Sequence, residues 1–503
     1  MIYSYSDYEH SKQLSADVCV IGSGAGGAVV AYELAASGYS VIIVEEGGFY
    51  STKDYDGKPL ASMKTMWRGA GATVSFGIPS ISIPAGKCVG GTTAINSATC
   101  FRTPEHVVHQ WKQRLQVNLD YKELESYCER VETIINVTKL PWDVLGNCAN
   151  IVKRGADALG LHCKPLMHNV KNCKGCGTCQ FGCVEGAKQS MEVSYIPLAL
   201  QYNATLLTHC KAVKILFKGN KAYGVQCVIT NEAGEKSTCT VNASVIVCAC
   251  GSMLTPLLLK HSGVRNKHLG KHLQIHPCSR VVALMDEEVN GWIGVSQGAY
   301  IDDYANEGIM LEGIFVHPSI LAASLPGVGN DFLQLVQRFN NIAAFGVMVH
   351  DTAEGVVSGN MNAPLLWYSM SGRDIETLKK GIAYLSMVFI AAGAKQVFTP
   401  LSPFPVLHSM DDVEKLEHAH ISRKDIPEVF AFHPLGTCRM AGDSSCGVAD
   451  SYGKCFNTDN VYIADGSIVP TSLGVNPQIT IMTLATKISR HIADTLAHTR
   501  CVW

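Results

Sequence analysis

The chain has 503 residues, 47% of them apolar, and a formal net charge of −2 from 41 basic and 43 acidic side chains. This length allows two or three domains with a large core, and the even charge balance argues against a nucleic-acid partner. No segment reaches the ~18 uninterrupted apolar residues of a membrane-spanning helix.

The first residues of the chain lack a basic stretch followed by an apolar one, so no secretory signal is expected. Twenty cysteines without such a signal favour reduced thiols and a cytoplasmic protein. Charged residues make up only 17% of the chain, which is also compatible with peripheral contact with a membrane. We therefore expect a cytoplasmic location, with membrane association left open.

The first clear unit is β–turn–α–β. Residues 18–21 predict a short apolar strand, residues 28–37 a helix ended by Gly38, and residues 41–44 a second buried strand. A Gly-x-Gly-x-x-Gly turn joins the first strand to the helix, and an acidic residue follows the second strand. The turn glycines and the acid are Gly22, Gly24, Gly27 and Glu45.

This unit predicts a dinucleotide site. Gly22 permits the tight turn, Gly24 lets the backbone approach a pyrophosphate, and Gly27 lets helix and strand pack closely. The helix N-terminus would face the anion, and Glu45 would accept hydrogen bonds from a ribose diol. Further glycine-rich segments downstream favour FAD over NAD, because an isoalloxazine ring must be held far from the adenine.

The rest of the chain suggests a cofactor domain in two pieces. Residues 50–85 predict a loop or lid, and residues 163–190 form a cysteine-rich insert. Residues 282–424 carry no cofactor motif, whereas residues 425–503 are again glycine-rich. We expect a cofactor domain formed by residues 1–281 and the C-terminal piece, with a substrate domain between them.

Four cysteines in the insert follow the spacing C-x2-C-x2-C-x3-C, namely Cys173, Cys176, Cys179 and Cys183. This spacing equals that of bacterial ferredoxins, which bind iron–sulfur clusters, although Val184 stands where ferredoxins have proline. A cluster would give a reduced flavin an electron exit. A structural zinc site, disulfides or a bent Gly- and Cys-rich turn are the alternatives.

Four segments together resemble the glucose–methanol–choline (GMC) oxidoreductase family. They are VIGSGAGGAVVAYELAASGYSVIIVEEGG, GKCVGGTTAIN, ASVIVCACGSMLTPLLLKHSG, and the stretch from FHPLGTCRM through NVYIADGSIVPTSLGVNPQITIMTLATKISRHI. Two middle segments, GIMLEGIFVHPSILAASLPGVGNDF and GIAYLSMVFIAAGAKQVF, are similar to the long-chain (fatty) alcohol oxidase branch.

The resemblance implies an α/β fold, with a discontinuous Rossmann-type FAD-binding domain and an α+β substrate domain built on an antiparallel sheet. It implies FAD-dependent oxidation of an alcohol with a large apolar part. It places the second glycine loop beside the flavin ring, an Asp-Gly pair on the flavin, and a valine, otherwise an ordinary strand residue, near the adenine. These cofactor residues are Gly90, Gly91, Asn96, Val213, Asp465 and Gly466.

His433 matches the active-site histidine of the family, and Asn476 matches its second polar position. Alcohol oxidation requires removal of the hydroxyl proton, and histidine suits this role because its ordinary pKa is about 6.5. Asparagine can orient the substrate oxygen but cannot accept a proton, so His433 is expected to be the base. His276 is expected to be structural.

Two other functions remain compatible with these residues. One is a dehydrogenase that acts on a sterol or sugar alcohol and passes electrons to a quinone or another carrier in place of oxygen. The other is a flavin-bound redox scaffold without turnover. Peroxide formation would identify an oxidase.

Overall fold

The computed structural model describes residues 1–8, 13–231, 233–315, 317–322 and 325–500. An eight-stranded and a nine-stranded sheet form its two halves, and two three-stranded sheets lie beside them. The mixed α/β class predicted from the sequence is confirmed. In chain order the strands are β1 (Ile2–Tyr3), β2 (Gln13–Ile21), β3 (Val41–Val44), β4 (Ser75–Phe76), β5 (Ile81–Ser82), β6 (Thr99–Cys100), β7 (Val137–Lys139), β8 (Cys163–Pro165), β9 (Met167–Asn169), β10 (Thr205–Leu207), β11 (Cys210–Lys218), β12 (Lys221–Thr230), β13 (Lys236–Cys248), β14 (Cys278–Leu284), β15 (Ala299–Ile301), β16 (Ile309–Gly313), β17 (Ile342–Val349), β18 (Val356–Asn360), β19 (Ala363–Trp367), β20 (Gln396–Phe398), β21 (Val406–Leu407), β22 (Val429–Phe430) and β23 (Val461–Ile463).

None of the helices in the described ranges is long and apolar enough to cross a membrane. They are α1 (Ala25–Ala36), α2 (Pro59–Met66), α3 (Glu105–Leu115), α4 (Tyr121–Ile134), α5 (Trp142–Leu145), α6 (Asn147–Leu159), α7 (Tyr195–Gln201), α8 (Gly251–His261), α9 (Pro318–Leu321), α10 (Asn330–Gln337), α11 (Gly372–Ala391), α12 (Met410–His418) and α13 (Gln478–Arg500).

The eight-stranded sheet contains the dinucleotide unit. Its order is β1-β10-β3-β2-β13-β12-β11, and β23 also pairs with β13. Strands β1, β10, β3, β2, β13 and β23 pair in parallel, whereas β11, β12 and β13 are antiparallel. Every residue of β3 is buried, as a strand covered on both faces requires. Helix α1 packs against α7 and α13, so N- and C-terminal segments share one core.

The nine-stranded sheet is largely antiparallel and forms the second half. Its order is β21-β20-β14-β17-β16-β15-β8, with β22 pairing β14 and β5 pairing β22. Helix α11 packs against β14, β16 and β17. The domain boundary predicted after residue 281 falls inside β14, which begins at Cys278. Strand β5 comes from the lid region and β8 from the cysteine-rich insert, so both regions also contribute to this sheet.

The region predicted as a loop or lid, residues 50–85, has regular structure of its own. It contains α2 and the short strands β4 and β5. Its Trp67 ring stacks on Phe181 of the insert, with centroids 6.0 Å apart and planes inclined by 12°. The lid region therefore packs against the cysteine-rich insert, a contact between distant segments that sequence periodicity does not reveal.

Candidate active site

A cavity of about 450 Å³ is lined by residues of both large sheets. Residues from the N-terminal unit, the second glycine loop, and the C-terminal segment meet there. Among the residues singled out from the sequence, the cavity is lined by Gly22, Gly24, Glu45, Gly91, Asn96, His433, Asp465, Gly466 and Asn476. Segments more than 400 residues apart in the chain are thus brought to one site.

The N-terminus of α1 opens into this cavity. Its N-cap residue, Gly24, has no side chain to cap the helix, so the first backbone N–H groups are left for an anion. A methyl group on Gly91 would lie 3.0 Å from the Cα of Gly24, so the two glycine loops face each other closely. Gly27 instead allows close packing, because a Cβ there would lie 2.0 Å from the Gly22 carbonyl oxygen.

The Glu45 carboxyl lies just after β3 and is held by hydrogen bonds from Ser23 and Gly47. Its Oε2 accepts from the backbone N–H of Ser23 at 3.0 Å and from the Ser23 hydroxyl at 2.7 Å. Its Oε1 accepts from the N–H of Gly47 at 2.8 Å. Burial raises the pKa of this carboxyl, and the three hydrogen bonds oppose that rise. The carboxyl is therefore fixed in orientation, and its contact with a ribose diol stays a prediction.

Asp465 joins the C-terminal segment to α8. Its Oδ2 accepts from the N–H of Gly251 at 2.9 Å and from the Thr255 hydroxyl, and its Oδ1 accepts from the N–H of Ser467 at 2.8 Å. Asp465 therefore stabilises the start of α8 and the turn that begins at Gly466, both of which border the cavity.

Three predicted cofactor residues do not line the cavity, and one of them is Gly27, which packs α1 against the strand. Gly90 adopts a left-handed conformation with φ of 89°, and a Cβ there would lie 2.2 Å from Oε2 of Glu192. Val213 lies where the register between β11 and β12 shifts, and the preceding residues 210–212 of β11 line the cavity. The adenine contact of Val213 stays a prediction.

Three side chains from separate loops meet at the cavity, which His433 and Asn476 line. The Nδ1 atoms of His276 and His433 lie 3.2 Å apart, and Nε2 of His433 lies 3.5 Å from Nδ2 of Asn476. Burial lowers the pKa of His433 to about 4 and that of His276 well below its ordinary value. Both imidazoles are therefore neutral near pH 7.

The backbone around His276 fixes its tautomer. Nε2 of His276 accepts from the N–H groups of Leu473 at 2.8 Å and Gly474 at 2.9 Å, so its single proton must be on Nδ1. Nδ1 of His276 faces Nδ1 of His433, and Nε2 of His433 faces the Nδ2 donor of the Asn476 amide.

Sequence reasoning missed Glu312, a buried acid in β16 that lines the same cavity. Burial raises the pKa of its carboxyl to about 8, and an interaction with the Asn476 amide opposes the rise. Within the part of the chain that the structure describes, Oε1 of Glu312 and Oδ1 of Asn476 have no hydrogen-bond partner. A lone acid within the apolar run IMLEGIF was the signal available in the sequence.

The four cysteines of the insert do not gather into a set of metal ligands. The thiols of Cys176 and Cys183 hydrogen-bond to each other, which lowers the pKa of Cys176 to about 5. Among the described residues, one group of three candidate ligand atoms lies within 4.8 Å of one another, and it consists of Cys210, Cys227 and Cys239 in the sheet core. The iron–sulfur and zinc interpretations of the insert thus lack the geometry that they require.

Comparisons with known proteins identify the family of this chain. Models described as GMC oxidoreductase match residues 63–278 and 357–485, and a model described as FAD binding domain matches residues 17–53. An uncharacterised GMC-type oxidoreductase of Sinorhizobium fredii is 32% identical over 480 residues, which cover 95% of this chain and 94% of that protein. The chain belongs to the GMC oxidoreductase family. The protein is accordingly an oxidoreductase with an FAD-binding domain.

Two further proteins, one matched by sequence and one by structure, are similar to this GMC oxidoreductase. A long-chain-alcohol oxidase of Arabidopsis thaliana is 27% identical over 520 residues, covering 96% of this chain and 67% of that protein. The crystal structure of pyridoxine 4-oxidase from Mesorbium loti superposes with a TM-score of 0.72 at 16% identity, covering 94% of this chain and 98% of that one. The structural match supports the fold, and the predicted family resemblance is confirmed.

Proposed function

We propose that this GMC oxidoreductase oxidises an alcohol with a long or otherwise large apolar part to an aldehyde or ketone. The observation that carries the proposal is one cavity lined both by the pair His433 and Asn476 and by the open N-terminus of α1. The pair suits a hydroxyl group, and the helix N-terminus suits a pyrophosphate.

FAD fits the residues present, because uncapped N–H groups and two glycine loops border the cavity at one end and a fixed acid stands beside them. Gly22, Gly24, Glu45, Gly91, Asn96, Asp465 and Gly466 would hold it. When bound, FAD supplies the acceptor for the hydride of the carbinol carbon. His433 would accept the hydroxyl proton, and Asn476 would orient the substrate oxygen.

The apolar part of the substrate is assigned from the remaining wall of the cavity. Ile314, Ile320, Met348, Phe430 and Phe432 line it. The similarity to long-chain-alcohol oxidases supports the same assignment. As electron acceptor we propose oxygen, because the similar protein of Arabidopsis thaliana is a long-chain-alcohol oxidase. A quinone acceptor and contact with a membrane surface stay predictions.

We expect the specificity constant to rise along the primary alcohols from butanol to dodecanol. Each methylene buried in the apolar wall contributes about 0.8 kcal/mol until the wall is covered. The assay follows peroxide formation in air, with a sugar alcohol and a sterol as controls. A flat or falling trend, or turnover of the controls alone, would contradict the long-chain assignment, and reduced dye without peroxide would indicate a dehydrogenase.

A further inference from the structure

The cysteine-rich insert carries one exposed thiol in contact with a buried one. Cys176 is exposed, Cys183 is buried, and their thiols hydrogen-bond to each other. Gly177 and Gly182 lie at the two ends of the segment between them, and both have a positive φ, 73° and 93°, that bends the chain. A solvent-facing cysteine with a second thiol beside it is the arrangement in which an oxidised cysteine is resolved into a disulfide.

The sulfur of Cys176 is surrounded by hydrogen-bond donors. Besides the Cys183 thiol, the Thr178 hydroxyl lies 3.3 Å from it, and the backbone N–H of Thr178 also donates. These donors lower the pKa of Cys176 to about 5, although burial opposes them, so the group is a thiolate near pH 7. The other titratable or charged groups around it are Cys173, Cys179 and Glu185, which pairs with Lys174 at 2.9 Å.

The segment between the two thiols also forms part of the cavity wall. Gln180 and Phe181 line the cavity, and the ring of Phe181 stacks on Trp67 of the lid region. Peroxide formed when oxygen reoxidises a flavin in this cavity would be released beside this segment. The source of the oxidant in the inference below therefore rests on the proposed function.

We propose that Cys176 and Cys183 form a site of reversible oxidation, at which hydrogen peroxide converts the two thiols into a disulfide. In the first step the Cys176 thiolate attacks peroxide, the O–O bond breaks, an S–O bond forms and hydroxide leaves. In the second step the sulfur of Cys183 bonds to that of Cys176, the S–O bond breaks, and water leaves with the proton of Cys183. Two electrons pass from the thiols to peroxide, which balances the reaction.

The contacts of Cys183 suit the second step. Its hydrogen bond to Cys176 raises the pKa of Cys183, so the reduced pair retains one proton. Oxidation removes the negative charge from Cys176, whereas the N–H of Lys188 still donates to the sulfur of Cys183 at 3.4 Å. The Lys188 charge also favours a thiolate at Cys183. Cys183 therefore becomes the better nucleophile only after Cys176 has reacted.

The test adds a small excess of hydrogen peroxide to the reduced, FAD-loaded protein and then alkylates the remaining thiols. Trypsin releases residues 175–188, whose three cysteines are Cys176, Cys179 and Cys183. In wild type two of these three cysteines should escape alkylation, and dithiothreitol should restore both. Cys176→Ser should leave its two other thiols open to alkylation. Cys183→Ser should stop at a sulfenic acid, which dimedone traps as an adduct on Cys176.

Cys179→Ser changes a buried thiol of the same peptide and is the matched control, expected to form the disulfide as wild type does. The rate should stay level between about pH 6 and 8, whereas oxidation of free glutathione speeds up about tenfold per pH unit. Three results would each overturn the assignment. They are a disulfide that survives Cys183→Ser but not Cys179→Ser, peroxide that leaves all three thiols open to alkylation, and iron or zinc bound by the insert of the purified protein.

A second arm replaces added peroxide with dodecanol and air, with catalase as the control. The disulfide should form during turnover, and catalase should prevent it. If dodecanol yields no peroxide while added peroxide still joins Cys176 to Cys183, the proposed function has failed and the thiol pair has not. If turnover releases peroxide and the pair stays reduced even with peroxide added, the thiol pair has failed and the proposed function has not.

Discussion

The reaction end of the site is decided by single residues whose roles depend on which atom carries a proton. His433 was identifiable from its surrounding sequence, but its contact with His276 was not, because two backbone N–H groups near Leu473 hold His276 in place. Glu312 was missed because its one signal, an acid in an apolar run, has no spacing or motif to support it. Tertiary contacts supply both facts.

At this scale we expect His433→Ala to keep its FAD and to reduce flavin ~10² to 10⁴-fold more slowly, the loss typical of a missing general base. Stopped-flow absorbance with a long-chain alcohol measures the rate of flavin reduction. Reduction at the wild-type rate would exclude His433 from the reaction.

At the scale of elements, Lys188 connects the second glycine loop with the cysteine-rich insert. Its buried Nζ donates to the carbonyl oxygens of Ala94 at 2.8 Å, Asn96 at 2.9 Å and Cys179 at 2.7 Å. These three hydrogen bonds give the bent insert a structural role that requires no metal. The cysteine spacing suggested a metal site, but spacing alone does not show in which direction the thiols point.

We expect Lys188→Met to lower the free energy of unfolding by about 3 kcal/mol, because buried carbonyls lose a charged donor. Release of FAD should accompany the loss, since Asn96 lines the cavity. Chemical denaturation and flavin fluorescence report the two effects. Lys174→Met, an exposed change in the same insert, is the control. Equal stability of both variants would show that Lys188 does not join the two segments.

At the scale of the whole molecule, the cavity lies between a largely parallel sheet and a largely antiparallel sheet and is lined by residues of both. The glycine fingerprint, Asp465 and His433 could be singled out from the sequence because each lies in a local motif. Residues 210–212 of β11 and Glu312 of β16 could not, because a bulge and the strand register bring them to the cavity. Sheet pairing also explains why the lid and insert, β5 and β8, belong to the second sheet.

The central claim is that this GMC oxidoreductase transfers hydride from an apolar alcohol to FAD bound in the cavity. The most direct measurement is the visible spectrum of the purified protein, mixed with dodecanol in the absence of oxygen. We predict a flavin spectrum that bleaches on mixing and returns when air is admitted. A flavin spectrum that dodecanol and the shorter and bulkier alcohols all leave unchanged would contradict the account.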